Sequence, residues 1–142
     1  MQTFLPYDNP ALIAACLDNK RLGKQRVEAI QIARILLDLQ QGRGWIHHPA
    51  VLMWRGSEPW LIKVYLKSVI KEWKTRGFNN DKCDKHYENL CNVIGHRWAL
   101  FPMWIDEKLI RSHQSNLIRK NPEHYRPFFP DVPDDLSYYW PV

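Results

Sequence analysis

Asn19 to Leu37 reads NKRLGKQRVEAIQIARILL. Setting Arg21 at zero and advancing ~100° per residue, Leu22, Ala29, Ala33, Leu36 and Leu37 cluster between roughly 60° and 160°, the apolar side of a core helix. The spacing predicts a helix from about Lys20 to Gln40, stopped at Gly42 and Gly44. Within about 60° of Arg21 lies a second stripe of Asp18, Lys24, Gln25, Glu28 and Ile32. Arg26 falls near ~140°, inside the apolar stripe, which predicts a half-buried guanidinium paired with a carboxylate or a phosphate. Lys20, Arg21, Lys24 and Arg26 thus put four cations at the start of one helix, close to the carboxylate of Glu28.

Upstream, Asn9-Pro10 is a helix start, with Asn as the cap and Pro in the first helical position, and a short helix should reach about Leu17. Downstream, Gly44-Trp45-Ile46-His47-His48-Pro49 is a connector, and Pro49 to Trp54 is a short helix ahead of Arg55-Gly56. Ser57 should cap a long helix, because Ile62, Tyr65, Leu66, Val69 and Trp73 have the spacing of a core face; Gly77 ends it. Further helices are expected from Asp81 to about Ile94 and from Asp106 to Lys120, the latter stopped before Pro122. From Tyr125 to Val142 the chain is rich in proline and aromatics, without a period, and should lie across the bundle surface. The expected fold is all-α: a compact single-domain helical bundle, residues 1–142, with an irregular aromatic C-terminal tail.

The 142 residues suit one domain with its own core. Hydrophobic residues at 45%, seven of the residues being tryptophan, exclude a disordered tail. Twenty Lys and Arg against fifteen Asp and Glu, with a pI near 9.2, favour a polyanionic partner. No apolar run approaches the ~20 residues of a membrane span, and the N-terminus lacks the order of a secretion signal. Cys16, Cys83 and Cys91 are too few and too scattered for a disulfide framework. These features point to an intracellular, cytoplasmic protein. Cys83, His86, Cys91 and His96 have a spacing reminiscent of zinc ligands. On a continuous helix, however, they point in divergent directions and cannot converge on one ion, so no metal site is expected.

The basic helix with Arg26-Val27, the Pro49-led segment, the long helix closing in Lys74-Thr75-Arg76-Gly77-Phe78-Asn79 and the aromatic C-terminus occur in an order that resembles the phage-type pyrimidine-dimer DNA glycosylases, the endonuclease V-like UV-repair enzymes. The resemblance implies an all-helical protein, without metal or cofactor and monomeric. Its partner would be double-stranded DNA carrying a damaged or modified pyrimidine. It implies cleavage of the glycosylic bond followed by AP-lyase nicking. The nucleophile would be the α-amino group at the chain start, here Met1, acting through a Schiff base with help from a glutamate on the basic helix. An ungapped register on Arg26-Val27 puts Gly23 at that glutamate's position. Glu28 is the nearest carboxylate on the same stripe, ~7.5 Å further along the helix; Asp18 is the alternative.

An amine attacks only when unprotonated, and an α-amine with a reference pKa near ~7.7–8.0 suits neutral pH better than a lysine near ~10.4. Met1 and Glu28 are therefore the expected nucleophile and assisting carboxylate, flanked by Arg21 and Lys24, with Lys20 or Lys24 as fallback nucleophile. The expected DNA-contacting residues are Lys20, Arg21, Lys24, Arg26, His47, His48, Arg55, His113, Tyr139 and Trp140, with Arg76 and Arg111 as extensions. Aromatic surfaces can replace the stacking lost around a flipped base, and Trp45, Trp54 and Tyr138-Tyr139-Trp140 are candidates. Trp73 and Trp98 are expected in the core. A glycosylase for another altered pyrimidine, or a non-catalytic DNA-binding module of the same fold, fits the same basic face.

Overall fold

Helix α2 (Asn19–Leu36) packs against several other elements of the computed structural model, which describes residues 1–142. The molecule is all-helical: α1 (Pro10–Cys16), α2, α3 (Pro49–Leu52), α4 (Glu58–Trp60), a π-helical segment (Leu61–Leu66), α5 (Lys67–Thr75), α6 (Asp81–Ile94), α7 (Glu107–Lys120) and α8 (Pro122–Tyr125). Thirty-two buried hydrophobic residues form one core cluster. No helix is long and apolar enough to cross a membrane.

The apolar stripe of α2 is buried as its spacing predicts, through Leu22, Ala29 and Ala33. The second stripe is covered as well, since Gln25, Glu28 and Ile32 are all buried. Gln25 and Glu28 are covered by the N-terminal segment, in which Thr3, Phe4 and Leu5 are at most 4% exposed.

The end of α2 comes earlier than Gly42. Leu39 N–H donates to Arg34 O at 2.8 Å and Asp38 N–H to Ile35 O at 3.2 Å, the paired bonds of a Schellman motif. Asp38 takes the left-handed position, with φ 57°, that glycine usually fills. At Gly23 a Cβ would lie 2.9 Å from the Trp73 indole, so the absence of a side chain is what lets α5 pack here. Trp73 in turn stacks on Phe78 with ring centroids 4.3 Å apart and carries the Arg26 guanidinium 4.0 Å above its ring.

The expected long helix is present as a continuous rod over 58–75, with the π-helical segment in its middle. Ser57 does not cap it: its Oγ accepts from Trp104 Nε1 at 3.3 Å, while Glu58 Oε1 receives Gly56 N–H at 2.9 Å. The tryptophans sort differently from expectation. Trp98 is 85% exposed, whereas Trp54 is fully buried. Trp54 stacks on Trp60, meets Trp104 edge-on and donates its indole N–H to Thr3 Oγ1 at 3.0 Å, so it belongs to the scaffold. Past Pro122 an extra turn, α8, forms under an Asn121 cap and buries Tyr125.

The tail from Leu136 to Tyr139 is held on α7 by serines one turn apart. Ser115 Oγ accepts from Leu136 N–H at 3.0 Å. Ser112 Oγ donates to Ser137 O and accepts from Tyr139 N–H, both at 2.9 Å.

Candidate functional site

The N-terminal strap, residues 1–6, crosses between α2 and α7, and buried side chains satisfy its backbone groups. Gln25 Nε2 donates to Gln2 O at 2.9 Å, and Gln25 Oε1 accepts from Phe4 N–H at 3.0 Å. Tyr65 OH donates into the same knot, with Gln25 Oε1 at 2.5 Å and Phe4 O at 3.1 Å. His113 Nδ1 accepts from Leu5 N–H at 2.9 Å, and Gln114 Nε2 donates to Pro6 O at 2.8 Å. A segment without helical or strand periodicity is thereby fixed as firmly as a regular element.

This clamp brings the chain start to Glu28. Gln2 N–H donates to Glu28 Oε2 at 2.6 Å, and the carboxylate, in a residue only 8% exposed, also lies 3.6 Å from Lys24 Nζ. Both belong to a cleft of about 430 Å³ whose walls include Met1, Lys20, Arg21, Lys24, Glu28, His48, Lys120, Tyr138 and Trp140. Gly23 faces Trp73, on a different side of α2 from the cleft, and the chain start comes to rest beside Glu28. Asp18 is occupied elsewhere: its carboxylate holds Arg21 at 3.1 Å and accepts from Tyr125 OH, and Asp18 does not line the cleft.

Across the cleft, His48 caps α3 by accepting Ala50 N–H at Nδ1, 3.1 Å away. Its neutral ring therefore carries its proton on Nε2. Burial, then the positive α-amino group of Met1, hold its pKa below the ordinary histidine value, against an opposing pull from Glu28. The ring meets Trp140 edge-on at 6.0 Å and Trp45 at 5.3 Å, and Trp140 stacks on Tyr138 at 5.6 Å. Trp45 is 52% exposed and sits at φ 72°, a strained backbone for a bulky residue beside a cleft. One wall of the cleft is thus aromatic, and the cations Lys20, Lys24 and Lys120 reach its rim.

Several expected contacts lie elsewhere. Arg26 is turned onto Trp73, donating to Asn80 Oδ1 at 2.5 Å and Cys83 Sγ at 3.5 Å, so its partners are neutral and it is absent from the cleft. His113 is completely buried and serves the strap, which removes it from any DNA-facing surface. Tyr139 faces Lys108, 4.2 Å over its ring, and its neighbour Tyr138 takes the cleft position. Arg76 ties α1 to α2, bonding Asn19 Oδ1 and the carbonyls of Ala14 and Ala15. His47, Arg55 and Arg111 are exposed and lie outside the cleft. Lys120 and Gln2 enter the site without any local signal in the sequence, because only the tertiary path of the two chain ends brings them there.

Gln25→Ala tests the clamp. It leaves Phe4 N–H buried without a partner and opens a small void, and each such orphan costs ~1–3 kcal/mol. The expected loss is about 2–4 kcal/mol in urea unfolding, by the same reasoning.

A family model described as pyrimidine dimer DNA glycosylase matches residues 1–86, a span that holds Met1, Glu28 and His48. Searches of curated proteins and of solved structures found no match.

Proposed function

The chain belongs to the pyrimidine dimer DNA glycosylase family, and on that premise we propose that it excises pyrimidine dimers or related pyrimidine lesions from double-stranded DNA and then nicks the strand as an AP lyase. The observation that carries this is the shared cleft: Met1 and Glu28 lie in it together, among cations and under an aromatic wall.

The free amine of Met1 attacks C1′ of the damaged nucleotide, and the bond from C1′ to the base breaks with its electron pair leaving on the base. A proton passes from the amine nitrogen to the departing base; the nitrogen lone pair then breaks the C1′–O4′ bond, O4′ takes a proton from water, and a protonated imine joins the nitrogen to C1′. The Glu28 carboxylate offsets the positive charge that develops there and takes a proton from C2′; the 3′ phosphate departs as the new double bond forms. Lys20, Lys24 and Lys120 hold backbone phosphates, and Arg21, braced by Asp18, presents its guanidinium from the cleft wall. Tyr138 and Trp140 stack against the displaced base.

A second reading rests on one distance. Gln2 N lies 2.6 Å from Glu28 Oε2. If Met1 were removed, that nitrogen would become the α-amine, already beside the carboxylate.

Borohydride reduction in the presence of abasic-site DNA tests both. A covalent adduct is expected, and mass mapping of the adducted peptide shows whether it begins at Met1 or Gln2. An adduct on Lys20 or Lys24 would move the nucleophile to α2. Tight lesion binding with no adduct would leave a binding module.

A further inference from the structure

We propose that the groove between α2 and α6 is a second phosphate-binding site, one that holds the DNA backbone about four base pairs from the lesion; the proposal rests on the reading of the cleft as a DNA site. The groove has a volume of about 510 Å³, and its polar lining is Gln31, Arg34, Gln40, Lys82 and His86. Arg34 and Lys82 take part in none of the ion pairs of the molecule. Arg21 and Arg76, by contrast, are held by Asp18 and Glu72. Of the three carboxylates of α6, Asp84 is engaged by Lys74 at 2.8 Å and Asp81 by the Asn79 side chain at 3.1 Å, and none of the three lines the groove.

Arg34 Nη1 lies 3.0 Å from His86 Nδ1. A guanidinium only donates, so Nδ1 accepts and the imidazole proton sits on Nε2, free for a ligand. The groove therefore offers a guanidinium, an ammonium and an imidazole N–H with no carboxylate paired to them, a donor set suited to a phosphodiester.

Its position relative to the cleft selects the ligand. On α2, Lys20, Lys24, Gln31 and Arg34 all fall between roughly 220° and 300° when Arg21 is zero, so one helix face leads from the cleft into the groove. Ten residues from Lys24 to Arg34 span ~15 Å. With one phosphate per ~3.4 Å of duplex axis on each strand, that distance corresponds to about four base pairs. A linear polyanion can occupy both sites at once, whereas a small free anion would have no use for the connecting face.

The test uses the full chain and duplexes with one central lesion. The duplexes carry ten base pairs on both sides, or ten on one side and two on the other. Shortening one particular flank should weaken wild-type binding about tenfold, and shortening the opposite flank should not. Lys82→Ala, at an exposed residue, and the double variant Arg34→Gln/Lys82→Ala should bind the long duplex more weakly. Loss of two contacts should make the salt slope shallower by about 1.8. On the duplex lacking the sensitive flank the variants should match the wild type. Wild-type affinity and slope in both variants on the long duplex would overturn the proposal, as would binding of inorganic phosphate in the groove without any dependence on duplex length. A wild-type protein that binds no lesion duplex would instead sink the reading of the cleft, and the groove proposal with it.

Discussion

Glu28→Gln should fold, bind lesion DNA at least as tightly as the wild type, and turn over about 10²–10⁴-fold more slowly, the range for losing a positioned acid or base. The substitution is chosen to remove charge and little else. Gln keeps an oxygen that can accept Gln2 N–H, the 2.6 Å bond that sets the chain start against α2. The lost ion pair is with Lys24, whose side chain is 69% exposed, and contributes little to stability. Removing a negative charge from a basic cleft favours a polyanion. Rate and affinity should therefore separate, and single-turnover cleavage beside equilibrium binding measures both. Near-normal turnover would take Glu28 out of the chemistry and leave it as an i, i+4 partner of Lys24 and an anchor for the strap.

The second large effect is on acid stability. His113 is completely enclosed, and burial holds its pKa at about 3, against ~6.5 for an unfolded histidine. Between those values the unfolded chain binds a proton that the native state refuses. Stability from this group is then full above pH ~6.5 and falls as the pH drops toward 3, by about 1.4 kcal/mol per pH unit. The groups facing the ring are the Leu5 N–H, the Gln2 side-chain amide 3.4 Å from Nε2 and the Phe4 ring edge-on at 6.2 Å; none of them titrates. Protonation at Nδ1 would also set two N–H groups against each other and expel the strap. Urea unfolding of the wild type and of His113→Asn, which retains an acceptor for Leu5 N–H, checks this. Between pH 7.5 and 4.5 the variant should lose about 3 kcal/mol less than the wild type. Equal slopes in the two proteins would clear His113 of the effect.

Regular helices were legible because their apolar residues repeat, as Leu22, Ala29 and Ala33 do on α2 and Ile62, Tyr65, Leu66 and Val69 do on the rod. Their stops were less so. Asp38 occupies a left-handed turn that residue preference assigns to glycine, so the sequence places the stop at Gly42. Tryptophan is hydrophobic wherever it stands, and only tertiary packing separates Trp54, buried among three rings, from Trp98 in open solvent. The cleft was half visible. Glu28, Lys24 and Arg21 share a helical stripe that a wheel displays. The strap, by contrast, has no period, and its partners lie 21 residues away at Gln25 and 108 at His113 and Gln114. Without its path there was no means of seeing that residue 1 comes to rest beside Glu28 and not beside Gly23.

The cleft joins Met1 to Tyr138 and Trp140, residues from opposite ends of the sequence. Such a site is built from contacts of very long sequence separation, and no N-terminal fragment that stops before residue 138 can contain it. A ribosome-bound or truncated product would hold an N-terminal amine, but neither the aromatic wall nor Lys120 to set against it. On the proposed chemistry, the amine meets the groups that would act with it only after residues 120–140 have packed. Docking of the Tyr138–Trp140 segment on the serines of α7 would then act as the final assembly step of the site.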